Sequence, residues 1–271
     1  MADEREVSTM ADQPTYRTGL GTSDADSITL LGHDLASELL GKISFGELAF
    51  YLIAKKRPTK GQLVMFEAVL TALADHGFTP TAIAARLTYA SAPDSLQGAL
   101  AAGLLGGGSR FLGVTEDCAH FLSAELTRIG EAPTTTEGWD AVALESVRLQ
   151  REKGKFVPGL GHPVHKQGDP RTPVLMQLAR DNGTFGAHLS LFDAIGRVHP
   201  QVLGKTLPLN GAGVCGAVLA DVGLPMGVMR GVALLARCAG LLGHIVEEQT
   251  HPVGIDIYMN VDRNIDYQPP R

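Results

Sequence analysis

Apolar residues recur at helical spacing along most of the chain, and alternating strand patterns are nearly absent. After Thr59, the residues Phe66, Val69 and Leu73 fall on one helix face, and Gly77 is well placed to end that helix. Similar spacing predicts helices over residues 80–87, 95–105, 114–129, 133–149, 172–182, 191–199, 217–222 and 225–248. The pattern therefore predicts a mostly α-helical protein.

The N-terminal residues and the longest apolar run bear on secretion and on membrane insertion. Residues 1–26 are polar and acidic, which predicts a disordered arm without a signal peptide. Asp34 follows, where it is expected to cap a short helix. The apolar run over residues 232–246 is interrupted by Arg237 and His244, and we expect it to be too short to span a bilayer.

Composition narrows the class of protein. The 271 residues are 44% hydrophobic, which is typical of a globular chain. The net charge of −6 argues against nucleic acid as the main partner but leaves room for a local basic pocket that binds a small anion. The three cysteines, Cys118, Cys215 and Cys238, form no CxxC pair. This odd, sparse set predicts a cytoplasmic protein and excludes a zinc module of the usual kind.

Residues 159–171, GLGHPVHKQGDPR, hold the densest group of candidate functional residues. His162, His165, Lys166 and Arg171 lie in a segment broken by glycine and proline. A polar surface turn is the alternative, but two histidines with two cations in thirteen residues favour a site. The two histidines are also possible metal ligands. No third ligand has a recognisable spacing, so we expect no metal.

The long apolar helix carries a polar stripe at steps of three or four residues. Arg237, Gly240, His244 and Glu247 share this stripe. A buried arginine needs an anionic partner. The partner is either an internal carboxylate or a carboxylate ligand held by the guanidinium, and spacing alone leaves both open.

The second glycine-rich turn, over residues 208–216, contains a GxGxxG pattern that begins at Gly211. Pro208 stands where a strand should end, and a helix follows in place of a second strand, so we reject a dinucleotide site. A helix-opening turn approached closely by another backbone segment is favoured. Cys215 in this turn is interpreted as a small buried thiol in preference to an activated nucleophile.

Four motifs together resemble the citrate synthase superfamily, and most closely its short lyase-type members, the citryl-CoA lyases and the C-terminal domain of ATP-citrate lyase. They are ADHG at residues 74–77, GLGHPVHK at 159–166, DPR at 169–171 and ARCAGLLGHIVEE at 236–248. The resemblance covers residues 27–260. It implies that His162 hydrogen-bonds the reacting oxygen and that His76, Arg171 and Arg237 bind substrate. It assigns coenzyme A to Gly159, Leu160, Gly161 and Lys166.

The resemblance also implies an architecture: an all-α fold with a large and a small helical domain and the active-site cleft between them. Residues 27–112 and 217–271 would form the large domain, and residues 113–216 the small one. The protein would be a homodimer or a higher homo-oligomer.

Three departures from the family pattern bear on the chemistry. Phe111 stands where citrate synthases carry a histidine. The lyase-type members also lack this histidine, so this departure points towards them. Ala212 replaces the family's aspartate, which is the acid/base for the acetyl carbon. Thr250 stands in place of a third carboxylate-binding arginine. His165 or Asp169 is a possible substitute for the aspartate.

The resemblance implies a lyase that cleaves a 3-hydroxyacyl-CoA, such as citryl-CoA, to acetyl-CoA and a 2-oxo acid. His162 and His165 are the predicted catalytic residues. Coenzyme A enters as part of the substrate, and no permanent cofactor is expected. The partners would be the CoA thioester and the 2-oxo acid, with no nucleic acid and no membrane. A citrate synthase-type acyltransferase and a catalytically lapsed acyl-CoA-binding relative are the alternatives.

Overall fold

The computed structural model describes residues 15–270, which are mostly helical. Contacts divide the chain into two compact units, Met1–Lys56 and Arg57–Arg271. The all-α prediction is confirmed, with one small addition of strand in the first unit. The predicted division into domains of residues 27–112 with 217–271 and of residues 113–216 stays a prediction.

The first unit contains a three-stranded antiparallel meander and one helix. Its elements are β1 (Gly21–Ser23), β2 (Ile28–Leu30), β3 (His33–Asp34), a π-helical turn (Leu35–Leu39) and α1 (Phe45–Ala54). Asp34 caps the π-helical turn by accepting a hydrogen bond from the Ser37 N–H, as predicted. Of the predicted arm, residues 1–14 lie outside the described residues. Its last part is corrected, because β1 is ordered by backbone pairing with β2.

The second unit consists of helices and the loops that join them. They are α2 (Lys60–Leu73), α3 (Pro80–Ser91), α4 (Leu96–Leu105), α5 (Val114–Ile129), α6 (Thr136–Glu152), α7 (Arg171–Asp181), α8 (Ala187–Leu203), α9 (Gly211–Asp221), a 3₁₀ turn (Met226–Val228), α10 (Met229–Thr250) and α11 (Gly254–Arg263). Several begin at side-chain caps. Thr59 forms a capping box with Gln62, and Thr79 caps α3 with Pro80 in its first turn.

Helix α10 is the central helix of the second unit and packs against α2, α3, α4 and α5. Leu241 and Ile245 are fully buried against alanines of α3 and α4. With the 3₁₀ turn before it, this helix is long and apolar enough to cross a membrane by length and composition. The apolar run over residues 232–246, which we expected to be too short, is only part of this helix. Arg237 and Glu248 are nevertheless buried within the packed face of this helix.

The GxGxxG segment is the first part of α9, so the predicted turn over residues 208–216 is corrected at its C-terminal half. Asn210 caps the helix by accepting a hydrogen bond from the Gly213 N–H at 2.8 Å. The predicted close backbone approach is confirmed: a Cβ at Gly213 would lie 2.5 Å from Cα of Gly159. These two glycines allow the loop of residues 159–171 to lie directly on α9.

Candidate active site

The loop that precedes α7 is held by hydrogen bonds to the start of α9. The Gly161 N–H donates to the Pro208 carbonyl at 2.7 Å, and the Asn210 N–H donates to the Gly159 carbonyl at 2.9 Å. The Asn210 side-chain amide also donates to the Gly161 carbonyl at 2.7 Å. Leu160 forms an isolated β-bridge with Leu209. The loop backbone is thus fixed immediately before His162.

The hydrogen bonds of His162 define which ring nitrogen carries the proton. Its Nδ1 accepts from the backbone N–H groups of Val164, at 3.1 Å, and His165, at 2.9 Å. A nitrogen that accepts two hydrogen bonds is unprotonated, so the neutral ring carries its proton on Nε2. Burial lowers the pKa of His162, and His165 lowers it further by charge repulsion. His162 is therefore a neutral imidazole with Nε2–H available as a donor.

Three histidines that the sequence separates come together here. His76, from the segment after α2, lies with its ring centroid 5.7 Å from that of His162 and 5.5 Å from that of His165. The centroids of His162 and His165 are 4.5 Å apart. His165 and His162 are partly buried, whereas His76 is exposed. The structure thus places a predicted substrate-binding residue beside both predicted catalytic residues.

Arg171 is paired within the protein. Its Nε and Nη2 donate to the two carboxylate oxygens of Asp169 at 3.0 and 2.8 Å, and its Nη1 donates to the Ala72 carbonyl at 3.1 Å. Burial opposes ionisation of Asp169, but hydrogen bonds from Arg171 and from the Gly211 N–H outweigh it and hold its pKa well below the usual range. Asp169 is therefore a permanent anion that neutralises Arg171. It is unsuited to replace the missing acid/base.

Arg237 is a buried cation without a carboxylate partner among residues 15–270. The residue is 4% exposed, and its Nη1 makes one hydrogen bond, to Oγ1 of Thr79 at 3.3 Å. Its Nε has no hydrogen-bond partner. Burial lowers the pKa of Arg237, and the neighbouring Arg171 lowers it further while Asp75 opposes the shift. Helix spacing left two possibilities open, and Arg237 forms no internal ion pair with any residue from 15 to 270.

The rest of the polar stripe on α10 belongs to a different cluster, centred on Arg86 of α3. The Arg86 guanidinium donates to Nδ1 of His244 at 3.0 Å, to Glu248 at 2.9 Å and to Glu247. Because Nδ1 of His244 accepts, its Nε2–H donates to Asp75 at 2.9 Å. Sequence reasoning missed Arg86, although an arginine within the apolar residues of α3 was the available signal.

Two of the three family positions that depart from the pattern, Ala212 and Phe111, offer no acid/base group. Ala212 lies in the first turn of α9, and Phe111 is 43% exposed. Cys215 is fully buried, and burial raises the pKa of its thiol to about 12, so it is not a nucleophile. This agrees with its interpretation as a buried thiol. Lys166 is exposed and lies within the segment assigned to coenzyme A.

A separate cluster of Ser123, His188 and Asp221 has the connectivity of a serine-hydrolase triad. Oγ of Ser123 lies 2.9 Å from Nε2 of His188, whose Nδ1 lies 2.8 Å from Asp221. Ser123 is in the middle of α5, where backbone N–H groups are used by the helix and cannot form an oxyanion hole. The Asp221 carboxylate also accepts from backbone N–H groups at the start of α8. We interpret this cluster as a structural cap of α8.

The chain is similar to known proteins along most of its length. The family model for the C-terminal domain of citrate synthase matches residues 33–255. A probable ATP-citrate synthase from Caenorhabditis elegans is 23% identical over 269 residues, which cover 93% of this chain and 23% of the relative. Citrate synthase 2 from Bacillus subtilis is 26% identical over 204 residues, covering 73% of this chain and 50% of the relative. The chain thus spans from about a quarter to half of these relatives.

Two solved structures are similar over nearly the whole chain. A citryl-CoA lyase from Hydrogenobacter thermophilus matches with a TM-score of 0.82 and 29% identity, covering 95% of this chain and 97% of that protein. An ATP citrate lyase from Methanothrix soehngenii, in complex with citrate and coenzyme A, matches with a TM-score of 0.79 and 23% identity, covering 96% of this chain and 42% of that protein. With the family model matching most of its residues, this chain belongs to the citrate synthase family.

Proposed function

We propose that this protein is a carbon–carbon lyase that cleaves a 3-hydroxyacyl-CoA, of the citryl-CoA type, to acetyl-CoA and a 2-oxo acid. The observation that carries the proposal is Arg237, a buried guanidinium without a carboxylate partner among the described residues. A carboxylate ligand would supply the missing anion. Arg171 lowers the pKa of Arg237 and that of His162 by charge repulsion, so both side chains lie near Arg171.

The lyase direction is favoured over the acyltransferase direction by the extent of the similarity. The chain covers 97% of the citryl-CoA lyase from H. thermophilus but only 50% of citrate synthase 2 from B. subtilis. The Phe111 side chain also lacks the hydrogen-bond donor that the resemblance expects of condensing enzymes at this position. We therefore prefer the lyase to the acyltransferase as the proposed function.

The cleavage moves a proton, in net terms, from the substrate hydroxyl to the acetyl carbon. The hydroxyl proton of the substrate must leave as the carbon–carbon bond breaks, and the acetyl carbon must gain a proton. We assign both transfers to His165, whose side chain makes no hydrogen bond to any residue in the described part of the chain. Nε2–H of His162 then stabilises negative charge on the same substrate oxygen. A single histidine in this role removes the need for an acid/base at Ala212.

The charges around the cleft bear on the substrate class. Arg171 is neutralised by Asp169, and Thr250 stands in place of a third arginine. Fewer cations remain to bind carboxylates than the family pattern supplies, so we propose a substrate with fewer carboxylates than citryl-CoA. A clear preference for citryl-CoA over thioesters with one carboxylate less would contradict this.

The decisive experiment measures cleavage directly. The purified protein is mixed with citryl-CoA and with a panel of related 3-hydroxyacyl-CoA thioesters, and acetyl-CoA and the 2-oxo acid are quantified. Equal amounts of both products support the lyase. The absence of cleavage of every thioester at high protein concentration rejects it, and tight CoA binding without turnover then identifies a lapsed relative.

The matched variants and the reverse reaction complete this experiment. His162→Ala and His165→Ala are expected to lose cleavage, whereas His120→Ala, which changes an exposed histidine on α5, leaves it unchanged. Release of free thiol from acetyl-CoA and a 2-oxo acid would instead identify the acyltransferase, because a lyase leaves the thioester intact.

Location and assembly are further proposals. Cys118 and Cys215 are buried and all three cysteines are free, which supports a reducing, cytoplasmic location. Helix α11 exposes Ile255, Tyr258 and Val261, and this apolar face supports association into a homodimer or higher homo-oligomer. Light scattering at defined protein concentrations measures the assembly.

A further inference from the structure

The histidine cluster has the composition and spacing of a metal site. One ring nitrogen from each of His76, His162 and His165 lies within 4.8 Å of those of the other two. Imidazole nitrogens are ligands that suit Zn²⁺, Co²⁺ and Ni²⁺, and three histidines with open positions are a common catalytic-type set for such ions. Sequence spacing offered only two of these ligands, and His76 supplies the third.

The nitrogens of the cluster are accessible for ligation. The side chains of His76 and His165 make no hydrogen bond to another described residue, and both rings are at least partly exposed. The neighbouring Arg171 would repel a cation, but its charge is offset by the ion pair with Asp169. The site is therefore open to an ion from solvent, and the charge of Arg171 beside His162 is compensated.

We propose that His76, His162 and His165 bind one divalent transition-metal ion with imidazole preference, and that this ion competes with the substrate. The competition rests on the proposed function. His162 can ligate through Nε2 only if the proton on Nε2 moves to Nδ1, where it would face the N–H groups of Val164 and His165. A metal-bound His162 thus loses the donor that the lyase step requires, and bound metal inhibits cleavage.

Binding is tested with the metal alone. Protein treated with a chelator and dialysed is titrated with ZnCl₂ by calorimetry and with CoCl₂ by visible absorption. We expect one ion per chain, and at least about tenfold weaker binding in His76→Ala and in His165→Asn, because each lacks one ligand. His120→Ala is the matched control and keeps the wild-type affinity. Circular dichroism confirms that the variants are folded.

The partly buried thiol of Cys238 needs its own control. Cys238→Ser is expected to bind Co²⁺ as the wild type does, without a change in the absorption of the complex. Absence of saturable binding in the wild type would overturn the metal site, and so would affinity that is unchanged in His165→Asn or lost in Cys238→Ser.

Competition is tested separately from the activity itself. If the proposed function is right, cleavage of the 3-hydroxyacyl-CoA proceeds in the presence of chelator. Added Zn²⁺ then raises the apparent KM, and renewed addition of chelator reverses this effect. No cleavage in chelator or in metal would reject the lyase and leave the binding result standing. Cleavage that is insensitive to bound Zn²⁺, or accelerated by it, would overturn the competition.

Discussion

The backbone N–H of His165 donates a 2.9 Å hydrogen bond to Nδ1 of His162, three residues earlier in the same loop. The Val164 N–H donates to the same nitrogen. Local backbone geometry therefore selects the Nε2–H tautomer of His162, the residue assigned to the reacting oxygen. The loop that carries this arrangement is in turn held on α9 by Asn210 and by the contact between Gly159 and Gly213.

We expect His162 to titrate below the ordinary histidine value of about 6.5. Burial and then His165 lower its pKa, so the neutral donor persists to lower pH than in a free histidine. The unfolded chain binds this proton more readily, so the contribution of His162 to stability is lost as pH falls below about 6.5. His165→Asn removes one repulsion and should shift the His162 pKa upward. Histidine NMR titration measures both, and a wild-type value above 6.5 would contradict the assignment.

Loss of the His162 donor should lower kcat strongly. His162→Ala is expected to reduce kcat for thioester cleavage by about 10²–10⁴-fold, the usual range for a proton-handling or charge-stabilising group. His120→Ala changes a histidine that is exposed on α5 and should leave kcat within about twofold of wild type. Steady-state kinetics of both variants measure the difference. A His162→Ala enzyme of normal rate would remove His162 from the mechanism.

The two buried arginines are expected to respond oppositely to the same substitution. Arg237→Met removes an unpartnered buried charge and should raise the free energy of unfolding by roughly 1–3 kcal/mol. Arg86→Met leaves the carboxylate of Glu248 buried without its cation and should lower it by about 3–5 kcal/mol. Urea denaturation at pH 7 measures both. Marked destabilisation by Arg237→Met would indicate an internal partner.

Stabilisation by citrate tests whether Arg237 binds a ligand carboxylate. If Arg237 binds a substrate carboxylate, citrate at about 100 times its Kd should stabilise the wild type by about 2.7 kcal/mol. Arg237→Met should lose this stabilisation while remaining folded. Equal stabilisation of both proteins by citrate would show that the ligand carboxylate binds elsewhere.

Asp169→Asn should destabilise the protein most at neutral pH. The pKa of Asp169 is lowered in the folded state, so its contribution is present above about pH 4 and is lost as pH falls further. We expect a loss of about 1–3 kcal/mol at pH 7 that shrinks in acid, because hydrogen bonds to a charged, buried carboxylate are removed. Asp140→Asn breaks an exposed pair with Arg197 and should cost under about 1 kcal/mol. Urea denaturation across pH 3–7 compares them.

Gly213→Ala should disturb the loop through its backbone contact. The added Cβ would lie 2.5 Å from Cα of Gly159, so loop and helix must separate. We expect a loss of about 1–3 kcal/mol in stability together with a lower kcat. Gly243→Ala, on α10 with nothing within 4 Å of the added Cβ, should instead stabilise by about 0.5–1 kcal/mol. Thermal unfolding and kinetics distinguish the two.

The local features of this protein follow from the sequence alone. Helix spacing, the cap at Asp34 and the close approach that requires Gly213 depend on residues near in the chain or on the absence of a side chain. The motifs also identified His162, His165, His76, Arg171 and Arg237 as candidate site residues. The short strands were missed because two or three residues carry too little alternation to be recognised.

Tertiary structure decided which of the charged and titratable groups are paired. Arg237 and His244 lie on one stripe of α10, yet Arg86 of a distant helix pairs with His244 and leaves Arg237 without a carboxylate among the described residues. His76 joins His162 and His165 across more than eighty residues of sequence. Helix propensity depends on neighbours along the chain, whereas electrostatic interactions and metal geometry depend on distances of a few ångströms between separate elements. Those distances arise only when the helices pack.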